Sequence, residues 1–186
     1  MRLRFLSNNK YKIAEVRSIL GTIGVDVVPV GKKIEEIQTT DIEKLVRDKC
    51  VKAFRIIGRP LFVEHTGLFI ETMNQFPGGL TQIFWDTLDA DRVSALFGQG
   101  DDTRVLAKTR IGYCDGRRIH QFEGEISGRL SPQPQGNRDF QWDCVFVPDG
   151  SSQTFAEMGE DAKNAISMRR KALDVFAEYL RTSTSA

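Results

Sequence analysis

The chain has 186 residues, 40% of them hydrophobic and 27% charged, enough to bury a substantial core in one domain or two closely joined lobes. Its 26 Lys+Arg against 25 Asp+Glu leave a formal net charge of +1, so no global basic field recruits a nucleic-acid polymer, although a small anion needs only a local cluster of cations. The cysteines, Cys50, Cys114 and Cys144, are odd in number and widely spaced, as expected of buried thiols in a soluble cytoplasmic protein, and neither a signal peptide nor an apolar run of about 18 residues points to export or a membrane.

In chain order, Arg2 to Leu6 alternates charged and apolar residues and predicts a strand that runs into a Ser-Asn-Asn turn. A helix follows on the spacing of Ile13, Val16, Ile19 and Leu20, with Gly21 at its C-cap, then a strand over Val25 to Val30. The irregular acidic stretch Ile34 to Thr40 leads into a Thr40–Glu43 capping box. Beyond it Ile42, Leu45, Val46, Ala53, Phe54 and Ile57 form the stripe of a long helix stopped at Gly58-Arg59-Pro60. Two short strands are expected at Leu61 to Val63 and Leu68 to Glu71, a loop at Phe76-Pro77-Gly78-Gly79, and a helix from Asp91 to Phe97. Arg104 to Cys114 and Arg117 to Ile126 flank Asp115-Gly116 and predict a hairpin with a type I′ turn, His120 lying at the surface. After the breakers Pro132 to Gly136, Cys144 to Val147 reads as a buried strand and Asp149-Gly150 as a turn. Ile166, Arg169, Leu173, Phe176, Ala177 and Leu180 stripe a final helix with a frayed tail from Thr182 to Ala186.

The expected fold class is α/β: an elongated mixed sheet flanked by helices, since a long hairpin is antiparallel while the N-terminal strand-helix-strand unit suits a parallel crossover. Polar motifs fall at element ends, where crevices form. Ser7, Asn9 and Lys12 place a hydroxyl, an amide and an ammonium at a strand-to-helix junction, and Lys163, Asn164, Ser167 and Arg169 crowd a second helix entrance. Both sets suit a phosphorylated ligand, and equally suit capped helix starts with solvated cations.

Five blocks, S-N-N-K-Y-K-I-A-E-V, V-E-H-T-G-L-F-I-E, F-P-G-G, G-x-x-D-F-Q-W-D-C-V-F-V-P-D-G and T-F-A-E-M-x-x-x-x-K-N-A-I-S-M-R, together resemble the inosine triphosphate pyrophosphatase family over nearly the whole chain. The resemblance implies two α/β lobes around a central nucleotide cleft. It further implies a homodimeric, magnesium-dependent enzyme (manganese being the substitute ion) that hydrolyses inosine, xanthosine and related deoxy triphosphates to monophosphate and pyrophosphate. It puts Ser7, Asn9, Lys12, Thr66, Lys163, Asn164 and Arg169 on the nucleotide, and Lys49 facing the phosphates as a catalytic cation beside Lys12. Phe140 and Trp142 would pack on the purine, Asp143 would reach its edge, and Glu36 and Glu64 would hold the metal. Four positions depart from the family pattern. His65 stands where an aspartate is usual and is expected to act as the water-activating base. Met168 replaces a histidine and would offer the base only apolar packing, relaxing selectivity. Gln135 replaces an arginine, and Gln141 replaces a glycine and would narrow the base pocket. Two functions follow: the pyrophosphatase itself, or a catalytically degenerate nucleotide-binding protein that keeps the cleft.

Overall fold

The computed structural model describes residues 1–183; Thr184 to Ala186, the end of the expected frayed tail, lie outside the described residues. Strand β1 (Arg2–Leu6) leads into α1 (Lys10–Gly21) and β2 (Asp26–Val30), and β2 returns parallel to β1, the expected crossover. Then come α2 (Ile42–Ile57), β3 (Leu61–Ile70), β4 (Phe76–Gly78), α3 (Thr81–Phe97), β5 (Arg104–Cys114) and β6 (Ile119–Leu130). A one-turn 3-10 helix at Gln141–Cys144, β7 (Phe146–Pro148), α4 (Phe155–Met158), α5 (Glu160–Ile166) and α6 (Met168–Ser183) complete the chain. The sheet has seven strands in the order β2-β1-β3-β5-β6-β7, with β4 also on β3; β1 is parallel to β2 and β3, and the remaining pairs are antiparallel.

Alternation along the strands decides which helix covers which face. Leu3, Phe5 and Phe62 join Val16 and Leu20 of α1 and Leu173 and Phe176 of α6 in one core cluster. Leu61 and Val63, pointing the other way, pack on Val46, Cys50 and Ala53 of α2. A third cluster fills the far end of the sheet with Phe84 and Val93 of α3, Phe146, Phe155 and Met168. Where α6 crosses β6, a Cβ on Gly124 would stand 2.3 Å from both Ala172 N and Met168 O, so only glycine lets helix and strand backbones approach this closely.

Several local expectations are revised by tertiary context. The strands foreseen at Leu61 and Leu68 are one strand, because β5 pairs with every residue from Leu61 to Ile70 and carries the backbone across polar Glu64-His65-Thr66. Phe76 to Gly78 pairs with β3 instead of looping free. Helix α3 begins ten residues before Asp91, at Thr81. Its apolar residues point several ways, Ile83 being exposed, and Asp89 interrupts it at φ +61 while capping Arg92 N at 3.1 Å. Asp41 rather than the Thr40–Glu43 box caps α2, accepting from Lys44 N at 3.0 Å. Helix α1 runs through Gly21 to a cap at Thr22. The hairpin loop has four residues, Asp115 to Arg118, and among them only Gly116 has positive φ. Cys144 ends the 3-10 turn, Ile166 lies exposed in α5, and Ser167 separates it from α6. His120 is half-buried and hydrogen-bonds Asp115 and Tyr179. All three cysteines are buried free thiols, as expected.

Candidate active site

Along one edge of β3, β1 pairs only with Leu61 and Phe62, and β4 only from Leu68 onward. The stretch between them therefore has β5 on one side and no strand on the other, and it carries Glu64, His65 and Thr66. This gap in the sheet opens past the carboxyl end of β1, where Ser7 Oγ accepts from Asn9 N at 3.2 Å and Asn9 Oδ1 caps α1 through Tyr11 N and Lys12 N at 3.0 and 3.1 Å. Such a junction sets the positive end of the helix dipole beside the crevice.

A groove of about 370 Å³ fills the gap. Ser7, Asn9, Lys12, Glu36, Lys49 and Glu64 all line it, so residues far apart in the sequence meet there. The sequence reading missed Lys32 and Lys33, which follow β2 into the same groove, and Gln82 on α3. The first two were legible as a lysine pair after a strand parallel to β1, since the carboxyl ends of parallel neighbours share one crevice. Gln141, at φ +42, also lies on the groove and donates its side-chain N–H to Gln82 Oε1. It narrows this groove and does not line the aromatic cavity around Phe140.

Behind the groove, Arg169, only 2% exposed, donates from Nε and Nη2 to Glu64 at 2.9 and 3.3 Å and from Nη1 to Glu15 at 2.7 Å. Lys12 Nζ and Thr66 Oγ1 add bonds to Glu64 Oε1 at 3.0 and 2.9 Å, and Ser167 Oγ bonds Glu15 at 3.2 Å. Burial alone would raise the Glu64 carboxyl, but Arg169 and Lys12 hold it well below the usual carboxylate range. Burial pulls Lys12 below the usual ammonium range, opposed by Glu64. Glu15 was missed, although a carboxylate one residue before buried Val16 on the core side of α1 signals a buried partner.

On the other side of Arg169 lies a cavity of about 140 Å³, lined by Tyr11, Glu15, Phe140, Asp143, Phe155, Lys163, Asn164 and Arg169 among others. Lys163 Nζ is hydrogen-bonded to Asp143 Oδ2 and sits 4.2 Å from the Phe140 ring centroid. Asp143 is buried, and among the described residues its Oδ1 has no hydrogen-bond partner. Burial raises its carboxyl, with Lys163 opposing. A cation-walled groove lined by Glu64 and an aromatic cavity lined by Asp143 and Arg169 thus lie on either side of the Arg169–Glu64 ion pair. The groove can neutralise a polyanion, and the cavity can cover a planar ring and bind its N–H edge.

Four expected site residues lie off these walls. Trp142 (2% exposed) and Met168 (0%) are enclosed in the third core cluster and have no face for a base, while Phe155 lines the cavity instead. Thr66 braces Glu64 and bonds Thr109 at 2.7 Å. His65 sits behind Glu36, with Nδ1 3.5 Å from Glu36 Oε2 and Nε2 3.1 Å from Gly79 O. A carbonyl only accepts, so Nε2 carries a proton, and the other nitrogen faces a carboxylate. His65 is thus held between Gly79 and Glu36 and does not line the groove. Gln135 is exposed, its backbone tying Cys144 and Thr154 together.

The donor set also tests the metal assignment. Glu64 accepts from Lys12, Thr66 and Arg169 on Oε1 and from Arg169 again on Oε2, so only Oε2 keeps acceptor capacity, and two cations of the protein already neutralise the carboxylate. Glu36 accepts from Lys49 at 2.5 Å, faces His65, and retains acceptor capacity on the groove wall. Among the described residues no group of three or more His, Cys, Asp or Glu is arranged to hold an ion by itself. Magnesium commonly takes one or two carboxylates plus substrate phosphates, so the residues fit an ion that arrives with a triphosphate and rests on Glu36.

The His65 hydrogen bond, with Lys49 beside it, holds Glu36 at about 2 against an ordinary 4.5. Because the folded value lies below the unfolded one, the ionised carboxylate stabilises the fold above the ordinary value, and that contribution is lost as pH falls through about 2. In metal-free buffer, Glu36→Gln is expected to flatten the acid limb of the stability curve, read as the urea midpoint from about pH 5 to about pH 2. An acid limb identical to that of the wild type would count against the pairing.

No helix among the described residues is long and apolar enough to cross a membrane. Two solved structures share the fold: the Staphylococcus aureus Ham1 protein, with a TM-score of 0.82 at 20% identity over 98% of this chain and 100% of that one, and a HAM1 protein from Coxiella burnetii, with 0.82 at 22% over 98% and 99%. In sequence, the chain is 35% identical over 184 residues to a dITP/XTP pyrophosphatase of Pyrococcus horikoshii, covering 98% of each. It is 33% identical over 186 residues to one of Methanopyrus kandleri, covering 100% of this chain and 99% of that one. With the Ham1 family model also matching residues 3–179, the chain belongs to the Ham1 family.

Proposed function

We propose that this protein is a nucleoside triphosphate pyrophosphatase that takes non-canonical purine triphosphates of the dITP, XTP and ITP kind to the monophosphate and pyrophosphate. One observation carries the reading: a lysine-lined groove and a cavity with the unpartnered Asp143 Oδ1 abut across Arg169, a pairing that suits triphosphate on one side and base on the other. The relatives' names support the substrate class.

In this reading the chain acts as one pyrophosphatase domain whose two lobes meet at the groove. Lys12 and Lys49 neutralise the triphosphate, helped by the positive end of the α1 dipole. Asn164 and Lys163 approach the nucleotide from α5, Phe140 offers its ring to the purine, and Asp143 Oδ1 accepts from an N–H on the base edge. Water attacks the α-phosphorus and pyrophosphate leaves. Glu36, ionised through the neutral range and held in place by His65 and Lys49, orients the attacking water or rests beside the cation. Magnesium, with manganese as substitute, would supply charge neutralisation on the phosphate oxygens, held by Glu36 and the substrate. His65 is a positioning residue here. Neither it nor Met168 takes a group off the walls, and this favours catalysis over a degenerate binding role. Exposed Phe76, Ile83 and Leu96 support a homodimer, and buried free thiols support a reducing compartment such as the cytoplasm.

The test is pyrophosphate release from dITP, XTP, ITP and the common purine triphosphates, with magnesium, with manganese and with neither. Turnover of the hypoxanthine and xanthine nucleotides above the common ones is expected; no release from any nucleotide would sink the assignment.

A further inference from the structure

A second cationic site lies at the other end of the strands. Beside the amino-terminal ends of β1 and β3, the β5–β6 loop meets the flank of α2 and encloses a groove of about 540 Å³. Arg47 and Arg55 enter it from α2, Arg117 and Arg118 from the loop, and Phe54 and Val51 form its apolar floor. Residues 47, 51, 54 and 55 share one face of a helix, which is why the sequence alternates them with the buried stripe. Among the described residues, none of these four guanidinium groups has a hydrogen bond or ion pair, and no Asp or Glu lines the groove.

The nearby acids are already engaged. Asp48 pairs with Lys52, while Asp115 accepts from the backbone N–H groups of Arg117 and Arg118, both at 2.7 Å, and bonds His120 at 2.9 Å. That carboxylate locks the loop without neutralising the arginine side chains. Gly116, at φ +101, brings the loop against Phe54, since a Cβ there would lie 3.8 Å from the ring. In a chain with net charge +1, four unneutralised arginines facing one groove repel each other and are relieved by an anion. Guanidinium forks match phosphate oxygens, and an aromatic floor suits a planar ring. The volume is that of a small-molecule site, and the balanced net charge gives no field for a polymer.

We propose that this groove is a second binding site for a phosphorylated small molecule with a planar ring, a nucleotide, separate from the catalytic groove. Its phosphates take the Arg47, Arg55, Arg117 and Arg118 forks, and its ring lies on Phe54. The experiment titrates the isotope-labelled full chain with a non-hydrolysable purine triphosphate in metal-free buffer and follows the amides of Gly116 to Arg118 separately from those of Ser7 to Lys12. Saturable shifts are expected in both sets. In Arg117→Ala/Arg118→Ala, two exposed surface substitutions, affinity at the loop falls about tenfold or more while the Ser7 to Lys12 set titrates as in the wild type. Inorganic tripolyphosphate is expected to bind the loop more weakly than the nucleotide; equal affinity would remove the ring from the proposal. Absence of a saturable loop shift, or a shift indifferent to the double variant, overturns the site. Loop binding confined to a single-stranded oligonucleotide would overturn the small-molecule assignment in favour of nucleic acid.

Discussion

Arg169→Met is expected to destabilise the fold by about 3–5 kcal/mol, the usual cost of breaking a buried ion pair by removing one partner. The side chain that disappears is one of the largest fully buried ones, and it is the shared counter-ion of Glu15 and Glu64, each 5% exposed. Without it two carboxylates are left in the protein interior with only Lys12, Thr66 and Ser167 to satisfy them. Urea unfolding at neutral pH measures the effect. The triple replacement Glu15→Gln/Glu64→Gln/Arg169→Met is expected to recover part of the loss, because it removes the desolvation penalty of both carboxylates and leaves only Lys12, on the groove, without its ion-pair partner. A loss under about 1 kcal/mol for the single variant, the scale of an exposed pair, would mean that the network is solvated in solution. Activity should fall in the same variant, since the ion pair between groove and cavity has been taken away.

Lys49→Ala is expected to lower kcat by about 10²–10³-fold, the scale found when one preorganised donor to a developing charge is removed. Lys49 is held on the groove by Glu36 at 2.5 Å and by the Glu64 carbonyl at 3.3 Å, on the edge of β3 that lacks a strand. Its ammonium therefore costs no reorganisation when the triphosphate arrives. The urea midpoint should stay near that of the wild type, because no buried charge is stranded. Equal falls in kcat and kcat/KM would mark an interaction made in the transition state; a rise in KM alone would reassign Lys49 to ground-state binding.

These two residues differ in how far the sequence revealed them. Lys49 interrupts the apolar stripe of α2 as any surface lysine would, and only the family resemblance drew it toward phosphates. Arg169 sat on the buried stripe of the last helix, so its burial was legible, but its partners were not. Glu64 lies 105 residues away and Glu15 lies 154 away, and no periodicity reaches that far. The same limit explains His65. As a residue type it offered a base near neutral pH, whereas its neighbours Glu36 and Gly79 turn it into a clamp.

By itself, the sequence determined the mixed α/β class, the N-terminal parallel unit, the long hairpin and the amphipathic α2 and α6, because alternation and helical spacing are properties of adjacent residues. It also marked, through the family resemblance, the blocks whose polar residues meet at the groove and the cavity. Tertiary structure alone decided that β3 is one strand with an open edge, that Trp142 and Met168 belong to the core, and that Glu64 is paired with Arg169 and Lys12. In each case the outcome depends on which distant backbone or charge lies opposite. Pairing across the sheet and neutralisation of buried charge are set by the closed fold, and local propensity contains no record of either.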